Sequence, residues 1–594
     1  MAAAPLLRRV TGTVARCHPD PYLWLVIAFS LFAVLPLAGP DYFFNAHDAP
    51  HSVFFLTEFD AALRDGVWYP GWATDQALGY GYPTFVLYPP LAYYVAEGFH
   101  LLGASKVAAV KWTWAWATIG AGLAMYLWAR RLVGREGGLL ASIVYLYMPY
   151  RLVDIYVRAA LAEYCAFVWM PLTLLAFHRL VEENSLRSGS AAAGRSVALA
   201  GLAYGALWLT HNATGLVFSP LLVGYVLFRL GVGHEAWKGR IARAALALGG
   251  ALLGLGIAAA LLLPNLLERR FIVQEQWVRA GYDVALHFVQ PAHFLSSSWG
   301  YAPGRPGTEG GMSVQLGAAP VLLAMVATVG VFQRPARDRA QVFFWAAATL
   351  LLVVMMMPVS ALLWERLPLA ALIQFPWRLL ALTSVSLALL SGFAVVILGP
   401  SVVGLQSRRP QPQVLIWVLV VILASFPYTL PQYTPIPAIA EGPLLALEFE
   451  QKYGDMVGMT AWTQEQPRTS PLLAQYWAGG PLVTAEALAP GAAVEMIRAG
   501  GASDELWVRS SQGTPLRFYT YYFPGWRVYI DGQRLPDSAL RPETAYGLLT
   551  VDVPPGEHRV LLRWGDTPVR LAGKMVTLSC LALALALAFR RAPL

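Results

Sequence analysis

The stretch HDAPHS, residues 47–52, brings His47, Asp48 and His51 within five positions. A carboxylate in such company can take a proton from a hydroxyl, provided partial shielding from water lifts its pKa towards the working pH. His47 and His51 stand at i−1 and i+3, so in a helix His51 shares the face of Asp48. Two readings of Asp48 are open. It is a general base, or it caps a helix starting at Ala49-Pro50, because Asp ahead of Pro at the first helical position is a common start. The roles do not exclude each other. His47 and His51 suit hydrogen bonding at an interface, with metal ligation as the alternative.

Further candidates lie elsewhere in the chain. Glu58 and Asp60 follow ten or more residues on and could supply a second acid. Arg151, Asp154, Arg158 and Glu163 form one polar group, His211 and Asn212 a second, and Gln374, Trp377 and Arg378 a third. An arginine offers forked donors to two phosphate oxygens, which makes Arg378, Arg158 and Arg151 candidates for a lipid phosphate. The plain alternatives are snorkelling or a salt bridge to Glu163 or Glu365 for Arg378, and a helix-end hydrogen bond for His211. The tyrosines and prolines of GYGYPTFVLYPP read as an interfacial aromatic belt, with the lining of a sugar site as the second reading.

These residues need a scaffold, and composition says which kind. Of 594 residues 57% are hydrophobic and 13% charged, against about 25% charged in soluble domains. Mean hydropathy is +0.51. Apolar runs of about 20 residues recur, long enough to cross a bilayer. This is an integral membrane protein, so the net charge of +8 is no sign of nucleic-acid binding. Twelve spans are predicted, near 22–38, 107–129, 136–150, 160–178, 196–210, 213–231, 242–263, 313–332, 341–358, 377–399, 413–430 and 572–589. The stretch 84–104 carries Pro89, Pro90, Glu97 and His100 and reads as a helix lying at the interface.

The charges support that count. Arg8, Arg9 and Arg16 precede the first span, which reads as an uncleaved helix. Clusters at Arg130/Arg131/Arg135, Arg179/Arg187/Arg195, Lys238/Arg240/Arg243, Arg334/Arg337/Arg339, Arg408/Arg409 and Arg590/Arg591 then fall on one side. Both termini are expected in the cytoplasm of a cell whose plasma membrane holds the protein. The expected domains are a membrane module at 1–430 with a first outer loop at 39–106, an extracytoplasmic β-rich domain at 431–571, and a last span with its tail at 572–594. In the β-rich domain Trp526/Val528/Ile530, Leu549/Val551/Val553 and Val560/Leu562/Trp564 alternate with polar residues, and Asp531-Gly532 and Pro554-Pro555-Gly556 supply turns. The segment 431–490 carries no readable pattern. Cys17, Cys165 and Cys580 suggest neither a disulfide framework nor a paired-cysteine metal site. No glycine-rich loop followed by Lys-Ser/Thr is present to cradle a nucleotide phosphate.

The order of HDAPHS, GVWYPGW, LGYGYP, YPPLAYY, RAALAE, LTHNATG, QFPWRLL and YYFPGWRVYIDG resembles the bacterial YfhO-like membrane proteins, within the polytopic glycosyltransferases of the GT-C fold. Some members carry a pyruvoyl-tetrahydropterin-synthase-related label, which these residues do not support. The resemblance spans nearly the whole chain. It implies an α-helical membrane module with a C-terminal β-sandwich, and an inverting transferase that takes its sugar from a polyprenyl-phosphate carrier at the outer leaflet. Asp48 would be the catalytic acid residue of the first outer loop, and a cell-envelope glycan or lipid the acceptor. The resemblance leaves room for a divalent cation, Mg²⁺ or Mn²⁺. Many GT-C enzymes carry a second acidic residue soon after the first, and here Glu58 and Asp60 stand further off. The rival functions are a non-catalytic scaffold that binds envelope polymer, and a lipid or sugar transporter. A transporter would want ionisable groups or broken helices near the membrane midplane.

Overall fold

The computed structural model describes residues 20–182, 190–233, 236–277, 282–302, 307–367, 370–398 and 410–590. Arg8, Arg9, Arg16, Cys17, Arg187, Arg408, Arg409 and Arg591 lie outside them. Among the described residues eight helices are long and apolar enough to cross a membrane. The protein is a multi-pass membrane protein.

The predicted spans 107–129 and 136–150 share one helical run, Lys106–Tyr147, broken at Gly134 with φ of 73°. Only glycine takes that angle without steric cost. Ser142 Oγ donates to the Gly122 carbonyl at 2.8 Å, so the run doubles back as a hairpin. The predicted span 313–332 is a shorter helix, Ala318–Gly330, closed by a 3-10 turn at Val331–Gln333. In the stretch 84–104 the longer helix is Leu91–Leu101, of 11 residues. At about 16 Å it cannot cross a hydrocarbon core of about 30 Å.

One end of the bundle collects the basic residues. Asp20, the N-cap of helix Pro21–Val34, pairs with Arg130 at 2.9 Å and Arg135 at 3.7 Å. Arg131 pairs with Glu182 at 3.3 Å, and Arg243 donates to the Val181 carbonyl at 2.8 Å.

The β-rich domain is a sandwich. Its strands are β1 (Ala485–Ala487), β2 (Ala493–Ala499), β3 (Ser503–Ser510), β4 (Thr514–Tyr521), β5 (Trp526–Ile530), β6 (Gln533–Arg534), β7 (Arg541–Glu543), β8 (Leu548–Val553) and β9 (Gly556–Trp564). They form sheets in the orders β1-β4-β8-β7 and β2-β3-β9-β5-β6. Trp526, Val528 and Ile530 face Trp564, Leu562 and Val560 across β5 and β9, all on the buried side. The β5–β6 hairpin turns on Asp531 (φ 49°) and Gly532 (φ 80°), the positive angles that a two-residue turn needs.

The segment 431–490 forms helices Leu444–Lys452 and Pro471–Ala478, with β1 at its end. It packs against the first loop. Glu450 accepts the Ala77 N–H at 2.9 Å and the Leu78 N–H at 2.6 Å, Ser470 Oγ donates to the Leu78 carbonyl, and Tyr476 donates to Asp75. Within GYGYPTFVLYPP, Tyr80 and Tyr82 are buried inside the protein. Tyr80 stacks on Tyr521 at 5.7 Å and its carbonyl accepts the Tyr521 N–H at 2.8 Å. Trp72 packs among Phe523, Trp526 and Trp564 at 5.0–5.9 Å. Gly81 is required twice over: its φ is 77°, and a Cβ there would lie 2.2 Å from Trp72 Nε1. These contacts join the first loop to the sandwich, and so fix the platform from which Asp48 projects.

Candidate active site

Asp48 occupies the N-cap position of helix Ala49–Arg64, with Pro50 in the first turn, yet its side chain makes no capping bond. Its place is held by backbone instead. The Asp48 N–H donates to the Arg158 carbonyl at 2.7 Å, and the His47 N–H donates to the Val157 carbonyl at 3.1 Å. Ser52 Oγ adds a bond to the Ala159 carbonyl at 3.0 Å. The carboxylate is thus free of capping duty and 46% exposed. The His51 ring comes within 4.0 Å of it, from Nδ1 to Oδ1.

Both histidines are neutral supports. His51 lies against the rings of Phe54 and Phe449 at 4.9 and 4.4 Å, and burial lowers its pKa. His47 meets the Tyr301 carbonyl through Nε2 at 2.9 Å, and burial lowers its pKa as well.

Behind Asp48 stands a buried ionic cluster. Glu163 is its centre. Arg158 Nη1 donates to Glu163 Oε2 at 3.0 Å, to Tyr150 Oη at 3.2 Å and to Asp154, while Tyr150 Oη donates to Glu163 Oε1 at 2.5 Å. Arg378 Nε lies 3.5 Å from Glu163 Oε2. Arg378 Nη1 donates to the Ile373 carbonyl at 2.9 Å and to Gln374 Oε1 at 3.2 Å, leaving Nη2 outside these contacts. Two stacked rings form the floor: Phe375 and Trp377 are 4.9 Å apart, with Arg378 over the first at 5.0 Å and Arg158 over the second at 4.7 Å. Tyr88 senses the whole group. Burial first, and then the charge of Asp48, raise its phenol above the ordinary value, while Arg378 and Arg158 oppose the rise.

Two non-glycine residues next to the arginines hold left-handed angles, Ala159 at φ 54° and Gln374 at φ 63°. Such angles cost roughly 1–3 kcal/mol each and persist only where surroundings enforce them. Here each turns the chain just beside a cluster arginine.

His211 joins the rim. It caps helix Asn212–Val232, with Nδ1 accepting from Thr214 Oγ1 at 2.7 Å and from the Thr214 N–H at 3.4 Å. The helix-end reading of this histidine describes its bonds.

Three of the arginine and acid expectations change. Glu58 and Asp60 do not meet Asp48, because ten and twelve helical residues separate them by roughly 15 and 18 Å along the axis. Glu58 accepts the Asp75 N–H at 3.3 Å, and burial followed by the charge of Asp75 pushes its pKa well up. Asp60 is spent on Arg64 at 2.5 Å, Lys106 at 3.5 Å and His100 at 3.7 Å. Arg151 is fully buried over the rings of Tyr164, Phe167 and Tyr145 at 4.6, 5.2 and 5.5 Å, closed off from any lipid phosphate. Among the described residues no group of three or more His, Cys, Asp or Glu side chains is arranged to hold a metal ion.

The Glu58 layer has its own pH signature. Burial raises Asp75 and lifts Glu450 from 4.5 to about 8. A carboxyl raised on folding contributes stability that is full below its unfolded value and is lost as pH rises through the folded one. For Glu450 that window runs from 4.5 to about 8. Thermal stability should therefore fall with rising pH across it, and Glu450→Gln should flatten part of the fall. A variant profile that matches wild type would remove Glu450 as a cause.

No family model matches this chain, and no curated protein does. Solved structures give low similarity. The arabinofuranosyltransferase AftD from Mycobacteria aligns with 14% identity and a TM-score of 0.45, over 72% of this chain and 27% of that one. The oligosaccharyltransferase of Archaeoglobus fulgidus in its apo form aligns with 14% identity and a TM-score of 0.43, over 77% and 59%. The same organism's AglB in complex with an inhibitory peptide and a dolichol-phosphate gives 13% and 0.41. This chain spans about a quarter of the first structure's length and three fifths of the second's.

Sequence reasoning missed several members of the site. Tyr150 and Phe375 are ordinary aromatic residues in the chain, and nothing marks them until the fold brings Glu163, Arg158 and the already singled-out Trp377 beside them. Ala159 and Gln374 carry no residue-type signal for a left-handed angle. The run QFPWRL offered the single clue, since Pro376 disfavours a helical residue before it and so forces a turn ahead of Arg378.

Proposed function

We propose that the protein is a membrane glycosyltransferase that moves a sugar from a polyprenyl-phosphate carrier to a cell-envelope acceptor. The observation that supports this most is a half-exposed Asp48 carboxylate, free of capping, pinned by backbone to Arg158 in front of the Arg158–Glu163–Arg378 cluster. The reaction type rests on the motif resemblance. The acceptor O–H gives its proton to Asp48 as its oxygen attacks the anomeric carbon. The anomeric C–O bond to phosphate breaks on the opposite face, with inversion, and the polyprenyl phosphate leaves with the bonding electrons. Cationic donors aimed at that phosphate stabilise the charge as it develops.

Arg378 is the better placed of the arginines for this work. Arg158 already serves Tyr150, Asp154 and Glu163, and its side chain is 5% exposed. Arg378 keeps a terminal nitrogen outside its internal contacts and is 15% exposed. Arg158 then orients Glu163, and Glu163 orients Arg378.

The experiment is a kinetic series on the purified protein with a polyprenyl-phosphate sugar. Arg378→Ala should cut kcat/KM by about 10- to 100-fold, the loss of one charge-assisted donor pair at about 1.5–3 kcal/mol. Arg378→Lys should recover part of it, because one ammonium does not reproduce the fork. If Arg378→Ala transfers sugar like wild type, the phosphate does not sit against Arg378.

A further inference from the structure

A groove of about 500 Å³ runs between the turn at Gly66–Tyr69, strand β9 and the last helix, Pro568–Phe589, and reaches Leu209 and Ala260 at the ends of two other helices. Neither Asp48 nor Arg378 lines it. Its two ends differ in chemistry. At the sandwich end stand Arg563 and Lys574, and Asp566 is the one carboxylate among the described residues lining the groove. Lys574 uses that carboxylate, at 2.7 Å. Arg563 is exposed on β9 and sits directly opposite Arg527 on β5. Arg527 donates to the Asp566 backbone carbonyl at 2.9 Å. Like charges placed opposite one another across a sheet repel, so this pair is an arrangement that an anion would relieve.

Tyr69 lines the same end. Its hydroxyl is buried with no hydrogen-bond partner among the described residues, and Lys574 Nζ lies over its ring at 5.4 Å. Trp68, beside it, is 86% exposed. Exposed tryptophan next to a membrane helix belongs at the headgroup level. From there the groove descends along the last helix to Leu578, ten residues and about 15 Å below Pro568. Leu209, Ala260 and Leu578 make that lower end apolar. An occupant must therefore be anionic at one end and hydrocarbon at the other.

We propose that this groove binds one anionic phospholipid, with its phosphate between Arg563 and the Tyr69 hydroxyl and one acyl chain along Leu209, Ala260 and Leu578. The bound lipid would tie the sandwich, and with it the first loop, to the membrane surface. It is independent of the chemistry assigned to Asp48.

The test is lipid retention by the purified full chain, read by native mass spectrometry during titration with dioleoylphosphatidylglycerol, dioleoylphosphatidylcholine or inorganic phosphate. One phosphatidylglycerol should be retained at a concentration at least tenfold lower than phosphatidylcholine needs, and inorganic phosphate alone should not be retained. Arg563→Glu should weaken phosphatidylglycerol retention at least tenfold. Leu578→Trp, which fills the apolar end and leaves every charge in place, should weaken it too, with the elution profile of both variants unchanged. Equal retention of the two lipids, or wild-type retention by both variants, would overturn the proposal. So would stoichiometric displacement of phosphatidylglycerol by a polyprenyl phosphate, which would make the groove a path for the sugar carrier.

Discussion

Asp48→Asn should lower sugar transfer by roughly 10² to 10⁴, the usual worth of a positioned general base, and leave thermal stability at the wild-type level. Both halves of that expectation come from the same geometry. The Asp48 side chain makes no capping bond, and its backbone N–H is bound to the Arg158 carbonyl at 2.7 Å. Asn preserves the backbone bond and the size of the side chain, and loses the proton acceptor alone. Asn is also as good an N-cap as Asp, so no helix penalty masks the result. His47→Ala and His51→Ala should cost less activity, because both rings are neutral supports that contact a carbonyl or phenylalanine rings. Activity is measured as single-turnover transfer, and stability as the melting temperature of the same preparation. An active Asp48→Asn protein would return Asp48 to the helix start and nothing more.

Glu163→Gln should behave in the opposite way, as a stability lesion first. Glu163 is the anion shared by Arg158, Arg378 and the Tyr150 hydroxyl, and all of its partners are buried or nearly so. Removing one partner of a buried ion pair leaves uncompensated charge, at a cost of about 3–5 kcal/mol. Asp154 still serves Arg158 in the variant, which puts the expected loss near the lower end, about 3 kcal/mol. Tyr150→Phe removes one hydrogen bond from the same carboxylate and should cost about 1 kcal/mol. Melting curves of the two variants beside wild type give the order, and a Glu163→Gln protein as stable as wild type would mean that the cluster is not the centre of its surroundings.

The fold was legible where its signal is local. Alternation of Trp526, Val528 and Ile530 with polar residues needs no partner to be seen, and these residues form β5 with that face buried. The apolar runs of the membrane module are local in the same sense. What escaped is what depends on distant partners. The segment 431–490 shows no pattern because its order comes from contacts such as Glu450 with Ala77 and Leu78, more than 370 positions away. The tyrosines of GYGYP suit a lipid interface by type alone, and only the sandwich gives Tyr80 its place on Tyr521. In the site, Asp48 was visible from its neighbours in the chain, and Arg378 from its entry into a span. That Glu163 links Arg158 to Arg378, and that Arg151 is caged away from them, follows from how the hairpin and helix Leu161–Val181 pack, which spacing does not reveal.

In the proposed reaction Asp48 and Arg378 stand on either side of the sugar–phosphate bond, with Arg158 and Glu163 between them. The most direct measurement is a cryo-EM structure of the Asp48→Asn protein with a polyprenyl-phosphate sugar bound. We expect the phosphate within hydrogen-bond distance of the Arg378 guanidinium, with the anomeric carbon between it and residue 48. A phosphate held elsewhere, with Arg378 still bound only to Glu163, Gln374 and the Ile373 carbonyl, would contradict the account.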